Sequence, residues 1–228
     1  MIVAAGGSRR MGFDKLFADL RGRPVLAHSI AAISAVGDIS DIVVVTSADR
    51  IADVQRLVED GGFSKVGQIL PGGKERCHSV HIGLDAAPAG CRWVAVHDAA
   101  RPLVSPEDIA RCIEAARESG AASLARPVSE TVKRAGADGI VSKSVDRDGL
   151  WAMETPQVFE LNALRQAYRE VLESGNQVTD EVSAAQDAGM AVHLVASRGL
   201  NLKITYPGDL EIAEAMLERH APKRDGAR

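Results

Sequence analysis

The 228 residues suffice for one buried core, and no linker rich in proline, glycine or serine divides them, so we expect a single domain. Aliphatic residues dominate the hydrophobic fraction of 46%, whereas aromatic residues supply only 4%, and this composition is typical of layered α/β proteins. A net charge of −4 argues against a general affinity for nucleic acid or acidic membranes.

Cysteine usage and the lack of long apolar runs predict a cytoplasmic protein. Cys77, Cys91 and Cys112 form no C-x-x-C pair and have no histidine at zinc-ligand spacing, which favours reduced, structural thiols. The first residues lack the basic and apolar regions of a signal peptide. No stretch approaches the ~20 apolar residues of a membrane span.

The first predicted element is a short apolar strand that runs into a loop of small residues. Residues 4–8 carry little side-chain bulk, so their backbone N–H groups could approach a ligand closely. Cations follow at Arg9, Arg10 and Lys15, and a triphosphate would use both features. Neither G-x-x-x-x-G-K-[ST] nor G-x-G-x-x-G is present. A tight turn with solvated arginines is the alternative interpretation.

Alternating helix and strand patterns follow up to residue 70. A continuous β-branched run over 42–46 predicts a strand buried on both faces. The predicted elements are a helix that begins at Pro24 and ends before Gly37, the strand 42–46, a helix closed by Gly61 and Gly62, and a strand over 66–70.

Two further strand ends carry candidate functional residues. Gly72 and Gly73 follow the strand 66–70 and lead into a helix with Arg76 and Ser79 in its first turns, which suits an anion or a base, although a plain turn would look similar. The strand 93–97 ends in Asp98-Ala99-Ala100-Arg101, and ligands bind outside the carboxyl ends of parallel strands.

The side chains after the strand 93–97 have two interpretations. Asp98 could bind a hydroxyl or a divalent cation, and Arg101 could hold an anion. A simple salt bridge between them is the alternative.

The second half of the chain contains a hairpin pattern between helices. Alternation from 127 to 151 predicts a basic β-hairpin that packs on another surface, such as its twin in a dimer, or that is solvated with lysines guarding its edge. The other predicted elements are a helix capped by Ser105, a strand over 122–125, helices over 161–172 and up to 188, strands over 192–195 and 201–205, and a final helix from Pro207.

Six ordered blocks resemble the 2-C-methyl-D-erythritol 4-phosphate cytidylyltransferase family. They are Ala-Ala-Gly-x-x-x-Arg-Met, Val-His-Asp-Ala-Ala-Arg-Pro, Val-Asp-Arg-x-Gly-Leu-Trp, Thr-Pro-Gln, Thr-Asp-Glu and Asn-Leu-Lys-Ile-Thr. The resemblance implies a three-layer Rossmann-like nucleotidyltransferase α/β fold with a mostly parallel twisted sheet. It also implies one domain over 1–220, a protruding β-hairpin dimerisation arm at about 128–150, and a polar, disordered tail at 221–228.

The implied reaction transfers CMP from CTP to 2-C-methyl-D-erythritol 4-phosphate, with Mg²⁺ bound through the CTP phosphates. Asp98 is the one protein residue expected to reach the metal. The implied catalytic residues are Arg10, Lys15 and Lys203. CTP would contact Ala4, Ala5, Gly6, Ser8, Arg10, Lys15, Gly73, Ser79, Asp98 and Ala99. The acceptor would contact Asp98, Arg101, Thr131, Arg147, Thr155, Thr179 and Lys203, with Thr131 and Arg147 supplied by the other subunit of a homodimer.

Two positions depart from the family pattern, and three other functions compete. Ser8 replaces a common glycine, which keeps the backbone donors, and Lys74 replaces a common acid, which could alter nucleotide preference or face solvent. The competing functions are a cytidylyltransferase for another polyol phosphate such as ribitol 5-phosphate, a catalytically silent nucleotide-binding module, and a dinucleotide oxidoreductase. The failed glycine pattern disfavours the last of these.

Overall fold

The computed structural model describes residues 1–6 and 12–220. The helices are α1 (Val25–Ser34), α2 (Ile51–Gly61), α3 (Arg76–Asp85), α4 (Pro106–Ser119), α5 (Leu161–Ser174), α6 (Glu181–Asp187) and α7 (Gly208–His220). The strands are β1 (Ile2–Ala4), β2 (Asp19–Leu20), β3 (Arg23–Pro24), β4 (Ile42–Thr46), β5 (Val66–Pro71), β6 (Trp93–Asp98), β7 (Ala121–Pro127), β8 (Val132–Ala135), β9 (Val141–Val145), β10 (Trp151–Glu160) and β11 (His193–Ala196).

A seven-stranded sheet forms the middle layer, in the order β11-β7-β10-β6-β1-β4-β5. Strand β10 runs antiparallel to both β6 and β7, and the other neighbouring pairs are parallel. The mostly parallel α/β sheet predicted from the sequence is therefore confirmed. None of the helices within the described ranges has the length and apolar character needed to cross a membrane.

Helices cover both faces of this sheet and make the three layers. Successive side chains of a strand point to opposite faces, and the β-branched run of β4 shows the result. Val44 packs in a cluster with residues of α1, α2 and α4, whereas Val43 and Val45 pack in a second cluster with residues of α3, α5 and α6. All five residues of β4 are buried, as the sequence predicted.

Capping residues place the helices where the sequence predicted them. Ser105 accepts a hydrogen bond from the N–H of Asp108 at the start of α4, and Asp180 accepts one from the N–H of Ser183 at the start of α6. Gly62 follows α2 with a φ of 62°, a left-handed conformation that favours glycine. These helix boundaries set the directions in which the connecting loops leave the sheet.

The structure contains three strands that the sequence did not predict, the short pair β2 and β3 and the long β10, and it lacks one that was predicted. Residues 155–157 lie inside β10, whose pairing with β7 is irregular between Met153 and Gln157, so the simple alternation of a strand is lost there. The predicted strand over 201–205 is wrong, because its backbone groups form hydrogen bonds with residues near the site instead of with a neighbouring strand. Its Ile204 N–H donates to the carbonyl of Ala100 at 2.8 Å, and the carbonyl of Asn201 accepts from Arg101.

The basic hairpin forms an antiparallel ribbon in which Val132 pairs with Val145. The ribbon is largely exposed, including the apolar side chains of Ile140 and Val141. This exposure leaves the ribbon without a core of its own. Its service as a dimerisation arm stays a prediction.

Candidate active site

A cavity of about 610 Å³ lies at the carboxyl ends of the strands. Parallel strands bring their carboxyl ends to one edge of the sheet, so the residues after β1, β5 and β6 meet there. The cavity is lined by Val3, Ala4, Ala5, Gly6, Lys15, Leu16, Gly73, Lys74, Glu75, Arg76, Ser79, Asp98, Ala99, Ala100, Lys203 and Thr205.

Asp98 is the electrostatic centre of the cavity. It is buried at the end of β6, where its carboxylate lies 2.7 Å from the ammonium of Lys203 and 3.5 Å from Arg76. Burial alone would raise the pKa of Asp98, but the charges of Lys203 and Arg76 outweigh it and hold that pKa below its ordinary value. Asp98 is therefore a carboxylate at neutral pH and accepts hydrogen bonds without donating them.

A buried acid on α6 orients Arg76. The two terminal nitrogens of Arg76 donate to Glu181 at 2.6 and 3.1 Å, and the hydroxyl of Tyr168 donates to the same carboxylate at 3.0 Å. Burial would lower the pKa of Arg76, but Glu181 and Asp98 outweigh it and raise that pKa. The guanidinium therefore stays charged and bridges Glu181 to Asp98.

The sequence placed Arg76 at a helix start that suits an anion, but it gave no role to Glu181 beyond its place in the Thr-Asp-Glu block. The structure buries Glu181 completely. A fully buried acid must be paired, but its partner lies 105 positions away in the chain. No local sequence pattern gives such a contact.

Two lysines predicted to be catalytic lie in the same cavity. The ammonium of Lys15 donates to the carbonyl of Ile204 at 2.7 Å, and that of Lys203 donates to Asp98. Lys15 thus links the first loop of the chain to the segment 203–205. Both ammonium groups lie on elements that converge at one sheet edge, which the sequence predicted.

Close packing of glycines shapes the wall formed by residues 72–79. A Cβ added at Gly72 would lie 2.6 Å from the Cβ of Ala5 and 2.7 Å from the hydroxyl of Ser79, so only glycine fits there. Ser79 is buried, accepts from the N–H of Gly73 at 3.1 Å and donates to the carbonyl of Glu75 at 3.2 Å. The predicted residues Ala4, Ala5, Gly6, Gly73, Ser79 and Ala99 all line the cavity.

Thr155 lies behind the cavity and positions Asp98. Its hydroxyl oxygen accepts from the N–H of Asp98 at 3.0 Å and lies 3.0 Å from Nδ1 of His97. Nε2 of His97 lies 3.2 Å from the carbonyl of Arg101, so Nε2 carries the proton and Nδ1 accepts from Thr155. Burial lowers the pKa of His97 to about 4, more than Asp98 raises it, and this keeps the ring neutral at pH 7.

Arg101 fastens neighbouring segments to one another. Its terminal nitrogens donate to the carbonyls of Asn201 at 2.8 Å and Met153 at 3.1 Å, and its Nε lies 3.6 Å from Asp98. The predicted pairing of Asp98 with Arg101 is present. In this arrangement Arg101 holds the Lys203 segment against β10 and is not among the residues that line the cavity.

Besides Arg101 and Thr155, which do not line the cavity, three other predicted acceptor residues are not brought to it. Thr131 and Arg147 lie exposed at the ribbon, where Arg147 donates to the carbonyl of Ser129. Thr179 is exposed beside α6, and its hydroxyl lies 3.2 Å from that of Ser183. The predicted residues Ser8 and Arg10 lie outside the described residues.

The donor set of the cavity fits a magnesium ion that is bound mainly by phosphate. Only Asp98 and Glu75 among the lining residues carry carboxylates, and cations already contact both oxygens of Asp98. Mg²⁺ needs about six oxygen ligands and takes many of them from water and substrate phosphates. The chain can therefore add an oxygen of Asp98 to such an ion but cannot enclose it.

Comparisons with known proteins identify one family. A family model described as 2-C-methyl-D-erythritol 4-phosphate cytidylyltransferase matches residues 1–219. A relative of that name from Dehalococcoides mccartyi is 41% identical over 220 residues, which cover 96% of this chain and 95% of the relative.

Solved structures are similar over nearly the whole chain. The crystal structure of 4-diphosphocytidyl-2C-methyl-D-erythritol synthase from Anaerococcus prevotii has a TM-score of 0.83 at 28% identity and covers 96% of this chain and 94% of its own. The 2-C-methyl-D-erythritol 4-phosphate cytidylyltransferase from Thermus thermophilus has a TM-score of 0.79 at 32% identity, with 95% and 97% covered.

Proposed function

The chain belongs to the 2-C-methyl-D-erythritol 4-phosphate cytidylyltransferase family, and from this premise we infer that it transfers CMP from CTP to 2-C-methyl-D-erythritol 4-phosphate. The products are 4-diphosphocytidyl-2-C-methyl-D-erythritol and pyrophosphate, and the reaction belongs to isoprenoid biosynthesis. The observation that carries this inference is the cation cluster, in which Lys203 and Arg76 contact Asp98. Among the described residues, four cationic side chains and two carboxylates line the cavity, so it favours a polyanion.

The reaction requires charge neutralisation and positioning more than proton transfer. An oxygen of the acceptor phosphate forms a bond to the α-phosphorus of CTP as the bond from that phosphorus to the bridging oxygen breaks, and pyrophosphate leaves with the bonding electrons. Lys15 and Lys203 provide fixed positive charge where negative charge develops. This role needs no covalent enzyme intermediate.

Asp98 and Lys203 are proposed to bind the acceptor, 2-C-methyl-D-erythritol 4-phosphate. An ionised Asp98 can accept a hydrogen bond from a substrate hydroxyl, and Lys203 beside it can contact the reacting phosphate. Thr155 supports this role from behind, because its hydroxyl accepts from the N–H of Asp98. The glycine-lined wall at Gly73 and Ser79 is proposed to frame the cytosine and ribose.

Magnesium bound through the CTP phosphates is part of this proposal. When bound, it would neutralise the triphosphate and polarise the α-phosphate. Asp98 is the side chain of this chain that would reach it. The acid and the lysines remain responsible for placing the acceptor relative to the nucleotide.

A homodimer in the cytoplasm, without nucleic acid or membrane as a partner, completes the proposal. Thr131 and Arg147 lie exposed at the ribbon, and two exposed strands are marginally stable without a surface to pack on. We propose that the ribbon packs on a second copy and brings Arg147 to the acceptor phosphate of that copy. The acceptor site then contains residues of both subunits.

Mixing two inactive variants tests this shared site. Arg147→Ala removes the ribbon contact and Lys15→Ala removes the catalytic cation, so a hybrid dimer has one site that contains both wild-type residues. Mixing should therefore raise the activity above that of either variant alone. Each hybrid dimer should reach up to about half the activity of a wild-type dimer, because one of its two sites is intact. Absence of recovery after subunit exchange, verified by native mass spectrometry, would contradict the shared site and leave the transfer reaction itself standing.

A further inference from the structure

Three metal-ligating side chains, Glu75, Cys77 and His78, meet at the start of α3, and Glu75 also lines the cavity. Sγ of Cys77 lies 3.6 Å from Nδ1 of His78 and 3.8 Å from a carboxylate oxygen of Glu75, and the three ligand atoms lie within 4.8 Å of one another. Glu75 is exposed and Cys77 is half-buried. A divalent ion could therefore reach all three from solvent.

We propose that Glu75, Cys77 and His78 bind a divalent transition-metal ion of the zinc type. Tetrahedral zinc with a Zn–S bond of about 2.3 Å and a Zn–N bond of about 2.0–2.1 Å places sulfur and nitrogen roughly 3.6 Å apart. The separation of Cys77 and His78 matches this value, and the sulfur–oxygen separation exceeds its tetrahedral value by only about 0.2 Å. The nitrogen of His78 and the carboxylate oxygen of Glu75 lie within 4.8 Å of each other and would meet at about 3.4 Å in a tetrahedral complex, so the exposed Glu75 side chain must rotate to complete the geometry.

The donor chemistry separates this ion from the magnesium proposed on CTP. Thiolate and imidazole favour zinc and its neighbours, whereas magnesium selects oxygen ligands. Three protein ligands leave one tetrahedral position for water, as in accessible zinc sites and unlike closed structural sites. Binding would release the thiol proton of Cys77 to solvent, because a coordinating thiol is deprotonated.

Local packing holds the donors in place. The backbone of Gly73 approaches so closely that an added Cβ would lie 2.3 Å from the Cβ of His78, which fixes the base of the imidazole. Glu75 precedes α3 and makes no side-chain capping hydrogen bond, and its carboxylate accepts a hydrogen bond from Sγ of Cys77, which keeps these two donors together. The sequence analysis expected Cys77 to have no histidine partner at zinc-ligand spacing; its neighbour His78 supplies the imidazole ligand in this proposal.

Zinc titration of the full chain tests the site in the absence of nucleotide, so the outcome does not depend on the transfer reaction. In excess Mg²⁺ and against a chromophoric chelator, the wild type should bind one zinc ion. Cys77→Ala and His78→Ala should weaken that binding by at least about tenfold. Matched controls are Cys91→Ala, which alters another half-buried thiol, and His81→Ala on the same helix, and both should bind zinc like the wild type.

Cobalt provides a readout on the unmodified protein. Co²⁺ replacing zinc should give the near-ultraviolet sulfur-to-cobalt charge-transfer band that only a thiolate ligand produces, and the band should vanish in Cys77→Ala but persist in Cys91→Ala. Absence of stoichiometric zinc binding by the wild type would overturn the proposal. So would a cobalt complex without that band, or unchanged zinc affinity in Cys77→Ala.

Discussion

Replacing Lys203 by alanine should separate catalysis from stability. The ammonium of Lys203 lies 2.7 Å from Asp98 in the cavity, and 42% of its side chain is exposed. A preorganised charge at the reacting phosphate contributes about 2–4 kcal/mol to transition-state stabilisation, so kcat/KM should fall about 30- to 1,000-fold. Such a partly solvated ion pair contributes only about 1 kcal/mol to folding, and Arg76 and Arg101 still face the carboxylate.

Steady-state kinetics and thermal unfolding of the same preparation check both halves of this prediction. The melting temperature should fall by only about 2–4 °C for a chain of this length. Lys65→Ala is the matched control, since Lys65 donates to the carbonyl of Val36 before β5, away from the cavity, and its kcat/KM should not change. A Lys203→Ala protein that keeps kcat/KM within about threefold of wild type would refute the reasoning.

Three further changes test the supporting contacts. Glu181→Gln removes a fully buried charge that accepts two ionic hydrogen bonds, which should cost about 3 kcal/mol of unfolding free energy by urea titration; an unchanged midpoint would contradict this pairing. The pKa of His97 is lowered from 6.5 in the unfolded chain to about 4 in the folded protein. As pH falls, the unfolded chain therefore takes up a proton before the folded protein does, and the stability of the fold decreases between pH 6.5 and 4, whereas above pH 6.5 this contribution is fully present. Urea unfolding should show about 2 kcal/mol of loss between pH 7 and pH 5, and His97→Gln should remove that component; an equal loss in the variant would assign it elsewhere. Gly72→Ala should raise the KM for CTP and cost about 1–3 kcal/mol, because its Cβ would lie 2.6 Å from Ala5, whereas Gly67→Ala, with open space around it, should be tolerated; equal effects of the two would contradict the packing argument.

Local signals in the sequence were enough for most elements of the fold. The β-branched run of β4 required cover on both faces, and the serine cap and the glycine after α4 gave that helix both of its ends. The signals failed where tertiary contacts decide the conformation. Residues 201–205 look like a strand, but the carbonyl of Asn201 accepts from Arg101 and that of Ile204 accepts from Lys15.

Local signals in the sequence also predicted part of the site. Glycines and cations at strand ends identified the loops, and strand parallelism brought the loop of Lys15 to Asp98, whereas Lys203 joins them from the irregular segment 201–205. The burial of Glu181 and its pairing with Arg76 depend on how α6 packs beside α3, which no residue pattern in either segment encodes. The position of Thr155 behind Asp98 likewise follows from the neighbouring strands β6 and β10.

The cavity is proposed to transfer CMP from CTP to 2-C-methyl-D-erythritol 4-phosphate with release of pyrophosphate. Pyrophosphate release should be measured with Mg²⁺ and each of CTP, UTP, ATP and GTP, in the presence of 2-C-methyl-D-erythritol 4-phosphate or ribitol 5-phosphate. We predict release only with CTP and 2-C-methyl-D-erythritol 4-phosphate. Equal or greater turnover of ribitol 5-phosphate would contradict the acceptor assignment. Absence of pyrophosphate release with every pair of substrates would contradict the catalytic role of the cation cluster.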